Sequence, residues 1–99
     1  MGRVIWSPAS KADSKNYYER IAKDSLSVAK KWLAGLRKSV EPLKMYPELG
    51  SPFEDVPDSP YREMFHGDFR IIYRIEKNTC IIVRVVRGAR LLTSDDFES

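Results

Sequence analysis

Between Ala29 and Leu43, apolar residues return every three or four positions: Ala29, Trp32, Leu33, Leu36, Val40 and Leu43. That spacing puts them on one face of a helix, and the face needs a sheet to pack against. Pro42 falls late in the pattern. It lacks a donor N–H and crowds the carbonyl four residues back, so the helix should kink or end there. A weaker stripe of Ala9, Ala12, Tyr18, Ile21 and Ala22 predicts an earlier helix from Pro8 to about Lys23, with Lys11, Asp13, Lys15, Glu19, Arg20 and Lys23 mostly outside. Ser7 can cap that helix, and Pro8 suits its first position, where an N–H would go unpaired anyway. Asp24 or Ser25 can cap the second helix. Ahead of both, "RVIW", Arg3 to Trp6, is short, β-branched and aromatic and reads as a strand.

Past Pro47 the pattern changes. Pro52, Pro57 and Pro60 make Glu48 to Pro60 a loop, with room for a short extended piece at Phe53 to Val56. "YREMF", "FRIIYRIE" and "TCIIVRVV" then read as three strands joined by turns at "HGD" and "KN". The chain order is β-α-α-β-β-β: one α+β domain over residues 1–99, with two helices on one face of a small, mainly antiparallel sheet. With Lys77-Asn78 as a two-residue loop, Glu76 faces Thr79, Arg74 faces Ile81 and Arg70 faces Val85. Arg70, Ile72 and Arg74 then share a face with Ile81, Val83, Val85 and Arg87, and Phe69, Ile71, Tyr73 and Ile75 share the other with Ile82, Arg84 and Val86. One extra residue in either strand would exchange these partners.

Composition narrows the class. At 99 residues, 42% hydrophobic and 31% charged, the chain is long enough for one core and too apolar for a disordered tail. No apolar run approaches the roughly 18 residues that span a bilayer, so no membrane partner is expected. "MGRVIWSPAS" lacks the apolar core of a secretory signal, which predicts a cytoplasmic protein. Cys80 is the only cysteine, which leaves no internal disulfide and no convincing zinc site. Strand packing is its expected role. The formal charge of +3 is unevenly spread: residues 60–92 hold seven basic residues against three acids, and the rest hold ten against eleven. Positive charge therefore gathers in the sheet, which favours an acidic or polyanionic partner.

The arginines of that sheet admit two readings. They can solvate an open face with their heads paired to Glu63, Asp68 or Glu76, or they can meet an anion with planar forks suited to phosphate and carboxylate. Arg62, Arg70, Arg74, Arg84, Arg87 and Arg90 are the binding candidates. His66, beside Gly67 at a turn, is either a solvated side chain or an acid/base group, and Glu54 or Asp55 could serve as bases from the loop. Tyr73 and Trp32 read as core. No phosphate-binding glycine loop, metal motif or nucleophile motif is present, and no cofactor is expected.

Taken together, "IWSPAS" before a helix, a second helix ending "LKMYPELG", "YREMFHGDFRIIYRI" and "VRVVRGAR" resemble the RelE/ParE superfamily of bacterial type II toxins nearly end to end. The resemblance implies two helices packed on a curved antiparallel sheet, and an antitoxin that wraps a segment around the toxin as a hetero-oligomer. It also implies one of two activities. RelE-like members cut mRNA at the ribosome without a metal, using basic residues at the scissile phosphate. ParE-like members bind DNA gyrase and trap cleaved DNA.

By position, Arg62, Arg70 and Arg87 match the sheet basics of the nuclease branch, and Arg90 matches the basic position after the last strand, with Glu54 or His66 as proton-transfer groups. Yet "SPFEDVPDSP" has no basic residue where several RelE-type nucleases carry a lysine pair, and "LLTSDDFES" has no terminal tyrosine or histidine. "VPDSPYRE" and "RVVRGARLL" resemble the ParE branch more closely, although Arg87 stands where many of its members carry histidine. The resemblance therefore implies a ParE-like toxin that inhibits gyrase, with an mRNA endonuclease or an inactive binding module as alternatives.

Overall fold

The computed structural model describes residues 2–88 and 90–97. Strand β1 (Arg3–Trp6) leads through helix α1 (Pro8–Asp24) to helix α2 (Leu26–Val40) and a 3-10 turn (Glu41–Lys44). After a short strand β2 (Ser51–Pro52) come β3 (Tyr61–His66), β4 (Phe69–Glu76), β5 (Thr79–Arg87) and a second 3-10 turn (Ser94–Phe97). The sheet order is β1-β5-β4-β3-β2. Among the described residues only the β1–β5 pair is parallel.

Local chemistry sets the helix ends as expected. The Ser7 hydroxyl accepts from the Ser10 N–H and caps α1 with Pro8 behind it, and Ser25 caps α2 through the Val28 N–H. At Pro42 the α-helix gives way to a 3-10 turn. The apolar stripe of α2 packs on the sheet as its spacing demands. Leu36, Val40 and Leu43 are buried with Phe69, Ile71, Tyr73, Cys80, Ile82 and Val85, and Trp32 and Leu33 lie against them.

Helix α1 departs from its predicted stripe. Tyr18, Ile21 and Ala22 are half-buried as expected, but Ala9 and Ala12 are exposed, and the buried positions are Ser10 and Ser14, flanked by the half-buried Asp13 and Tyr17. The buried hydroxyls are satisfied locally: Ser10 Oγ donates to the Ser7 carbonyl at 2.9 Å and Ser14 Oγ to the Ser10 carbonyl at 2.9 Å. Asp13, expected outside, takes the N–H of Val85 at 2.9 Å. A hydrophobicity pattern cannot register a face held by hydrogen bonds.

The β4–β5 register follows the two-residue turn from Glu76↔Thr79 to Tyr73↔Ile82, and then slips by one residue, so that Ile72 pairs with Arg84 and Arg70 with Val86. The expected pairing of Arg70 with Val85 is therefore overturned, as is the placing of Arg84 and Val86 beside Ile71. Val83 is the extra residue, a β-bulge. It sits where β1 ends: Ser7 donates its N–H to the Ile82 carbonyl at 2.9 Å and its hydroxyl to the Val83 carbonyl at 3.1 Å. The extended piece expected at Phe53 to Val56 lies instead at Ser51–Pro52, at the outer edge where a proline costs no ladder bond.

The second sheet face is covered too. Phe53, Ile72, Val86 and Leu92 form a smaller buried cluster with Val56, Tyr61, Val83 and Phe97 against it. Phe97 stacks on Tyr61 at 4.4 Å between ring centroids and meets Phe53 edge-on at 5.6 Å. Residues 90–97 thus lie back across the sheet.

Tyr73 ties the two halves together. It is fully buried, its hydroxyl donates to the Pro47 carbonyl at 2.7 Å, and it accepts the Gly50 N–H at 2.9 Å. Burial pushes its phenol above the ordinary value. Tyr73→Phe strands the Gly50 N–H and the Pro47 carbonyl, and should cost about 1–3 kcal/mol of unfolding free energy in urea titration.

Candidate functional site

Most of the sheet arginines are committed within the fold. Arg70 is 7% exposed. Its Nε donates to Glu63 at 3.0 Å, one terminal nitrogen meets Asp55 at 3.0 Å, and the other donates to the Arg90 carbonyl at 3.0 Å. Its guanidinium also lies over the Phe53 ring, 5.3 Å from the centroid. Burial alone would lower its pKa, but the Glu63 and Asp55 carboxylates outweigh that and hold it above the ordinary value. Arg62 donates to the carbonyls of Gly50 at 3.0 Å and Glu48 at 3.2 Å, bracing the loop before β2. Arg74 pairs with Glu76 at 2.7 Å on the surface.

Arg84 makes the most complete clamp. Two of its nitrogens hold the Asp13 carboxylate at 2.7 and 3.0 Å, and the third donates to the Asp96 carbonyl at 2.6 Å. The bond to Asp13 raises its pKa despite partial burial. One side chain thus joins α1, the β5 bulge and the C-terminal segment. Asp96 accepts the Thr93 N–H at 2.9 Å, which with Arg90 and Arg84 nearby holds its carboxyl below the ordinary range against a smaller opposing effect of burial.

Arg87 and Arg90 are the exposed members of the set. Arg87 lies over the Phe69 ring at 5.9 Å from the centroid, and Arg90 is 3.5 Å from Asp96. Glu54 is exposed on the loop. His66 closes β3 instead of lying in the turn, and it packs on α2: a Cβ placed on Gly35 would come within 2.7 Å of its ring. Since Phe69 and Ile71 belong to the helix-side core, His66, paired with Phe69, lies on that side, away from the Arg70 cluster. The proton-transfer candidate and the central arginine do not converge.

Two of the surface grooves hold several charged side chains. One, of about 560 Å³, lies where β3 and β5 end and β4 begins, between Arg87, Arg70 and the carboxylates of Asp55, Glu63 and Asp68, with Phe65 at its wall. With three acids against two arginines, it does not concentrate positive charge. The other, of about 350 Å³, is floored by Trp6, Tyr18 and Leu33 and rimmed by Lys11, Lys15 and Arg37. The sequence reading passed over this second groove. Its signal was present in the spacing of Lys11, Lys15 and Tyr18, which share one side of α1, and in Leu33 and Arg37 on α2. Among the described residues, no cluster of three or more His, Cys, Asp or Glu side chains could hold a metal ion, and no helix is long and apolar enough to cross a membrane.

The architecture, a helical hairpin on one face of an open five-stranded sheet, is that of RelE/ParE-type toxin–antitoxin proteins. The solved chromosomal ParDE system of P. aeruginosa is similar over 90% of this chain and 98% of that one, at 22% identity and a TM-score of 0.77. The RelBE2 toxin–antitoxin complex of Mycobacterium tuberculosis is similar over 87% and 96%, at 19% identity and a TM-score of 0.56. No curated protein matches the sequence. A family model described as the ParE toxin of the parDE type II toxin–antitoxin system matches residues 4–92. The chain belongs to that family.

Proposed function

We propose that this ParE-type toxin acts by binding DNA gyrase and trapping its cleaved DNA, and that a cognate antitoxin holds it inactive. The observation that carries the choice of activity is the state of Arg70. A phosphate-cleaving site needs guanidinium donors free to meet a developing charge. Arg70 already satisfies two carboxylates and a carbonyl, and Arg62 serves two more carbonyls. Of the four arginines that a RelE-like nuclease would use, Arg87 and Arg90 alone remain exposed. Phe53, Leu92 and Phe97 lie over the same sheet face. These features favour a protein that works by contact, in line with the ParE family match and with the antitoxin partner of the ParDE system.

Purified protein added to gyrase and relaxed plasmid should block supercoiling, and a small acidic antitoxin encoded beside it should relieve the block. Normal supercoiling at an excess of toxin would sink the gyrase assignment. Growth arrest on expression without the neighbouring antitoxin separates an active toxin from an inert binding module.

A further inference from the structure

We infer that the outer face of the α1–α2 hairpin docks on the phosphate backbone of duplex DNA, so that the toxin holds the DNA at its target as well as the enzyme; this rests on the gyrase reading above. Positive charge in the sheet is largely consumed by the fold. Arg70 and Arg84 are held by Asp55, Glu63 and Asp13, Arg74 by Glu76, and Arg62 by two carbonyls. The helices are where positive charge stays available. Residues 8–40 carry eight basic residues against three acids, and the rest of the chain nine against eleven. One of those three acids, Asp13, is already turned inward to Arg84.

Helix α2 concentrates the effect, since no acid interrupts it from Leu26 to Val40. Its buried residues Ala29, Leu36 and Val40 face the sheet, which sets Ser27, Lys31, Ala34 and Lys38 on the opposite, exposed side. Lys30 and Arg37, also exposed, lie on the flank beside α1, where Lys11 and Lys15 continue the basic field. None of these six cations makes an ion pair among the described residues. Lys31 and Lys38 stand two helical turns apart, roughly 10 Å along the axis, a length over which one DNA strand presents about three phosphates. Ser27 and Ala34 are small, so a phosphate backbone can approach the lysines closely. A membrane surface would ask for large apolar residues on the same stripe, and Ser27 and Ala34 supply none. With one arginine and neither asparagine nor glutamine, α2 suits backbone contact and not base reading. Duplex DNA is the polyanion present at gyrase.

The purified full chain, without gyrase, should bind a short labelled DNA duplex of arbitrary sequence in a fluorescence anisotropy titration. Log affinity should fall with log salt at a slope of about −4 to −5. Lys30→Gln, Lys31→Gln and Lys38→Gln together should flatten that slope by about 3 and weaken binding at least about tenfold. Arg3→Gln, Lys44→Gln and Lys77→Gln remove the same charge away from the hairpin, and should leave affinity within about threefold. Circular dichroism checks that both triple variants fold; if the α2 variant does not, Lys11→Gln with Lys15→Gln should flatten the slope by about 2. No duplex binding, equal weakening by both triple variants, or tighter binding to duplex RNA or to vesicles of equal parts phosphatidylcholine and phosphatidylglycerol would overturn the inference. Capture of gyrase by the immobilised protein in the absence of DNA is read on the same preparation. Gyrase capture without duplex binding sinks the DNA surface alone, whereas duplex binding without gyrase capture sinks the gyrase reading and leaves the surface standing.

Discussion

Arg70→Ala should lower the unfolding free energy by about 3–5 kcal/mol, because it leaves two largely buried carboxylates facing each other without their cation. Asp55 and Glu63 have side chains 16% and 14% exposed, so water offsets little of that loss. The variant also frees the Arg90 carbonyl and the Phe53 ring face, loosening residues 90–97. Adding Glu63→Gln to this background should recover part of the stability, since one uncompensated charge is then removed. Chemical denaturation of the single and double variants gives the comparison. A fully stable Arg70→Ala protein would mean that the side chain is held for an anionic ligand and not for the fold.

Asp13→Ala should cost about 2–3 kcal/mol. The substitution strips Arg84 of a two-point carboxylate partner and leaves the Val85 N–H, at the β-bulge, without an acceptor. The expected loss is set below that for Arg70 because the Arg84 side chain is 22% exposed and water can partly replace the pair. Asp13→Asn should restore part of it, because its amide oxygen can still accept one N–H. Thermal unfolding should show the order wild type, Asp13→Asn, Asp13→Ala. A wild-type melting temperature for Asp13→Ala would contradict the role given to the clamp.

These two residues also mark where the sequence could be read and where it could not. The helix faces on α2, the caps at Ser7 and Ser25, the Pro42 ending and the three strands follow from periodicity and turn chemistry, which are local. The Val83 bulge is not local. It depends on Ser7, distant in sequence, arriving beside β5, and with it went the assignment of Arg84 and Val86 to a face. The polar inner side of α1 was hidden because Asp13 looks like any surface acid until Arg84 is placed against it.

The candidate arginines follow from residue type and strand position: five of them lie in β3, β4 and β5 and Arg90 just past β5, but the bulge exchanges the faces expected for Arg84 and Arg87. Their availability was not legible. Asp55 and Glu63 reach Arg70 only once the proline-rich loop has folded back over the sheet face. The basic groove is illegible for the opposite reason: Lys11, Lys15 and Arg37 lie on helices whose periodic signal comes from their apolar stripes, and only the packing of α1 on α2 brings the three together.

We propose that the protein arrests growth through gyrase and not through RNA. A brief induction in cells, with RNA 5′ ends mapped and gyrase-linked DNA breaks counted in the same culture, tests it most directly. The expected result is breaks at gyrase sites with no codon-positioned RNA ends. Codon-positioned RNA ends appearing with gyrase-linked breaks at background would contradict it.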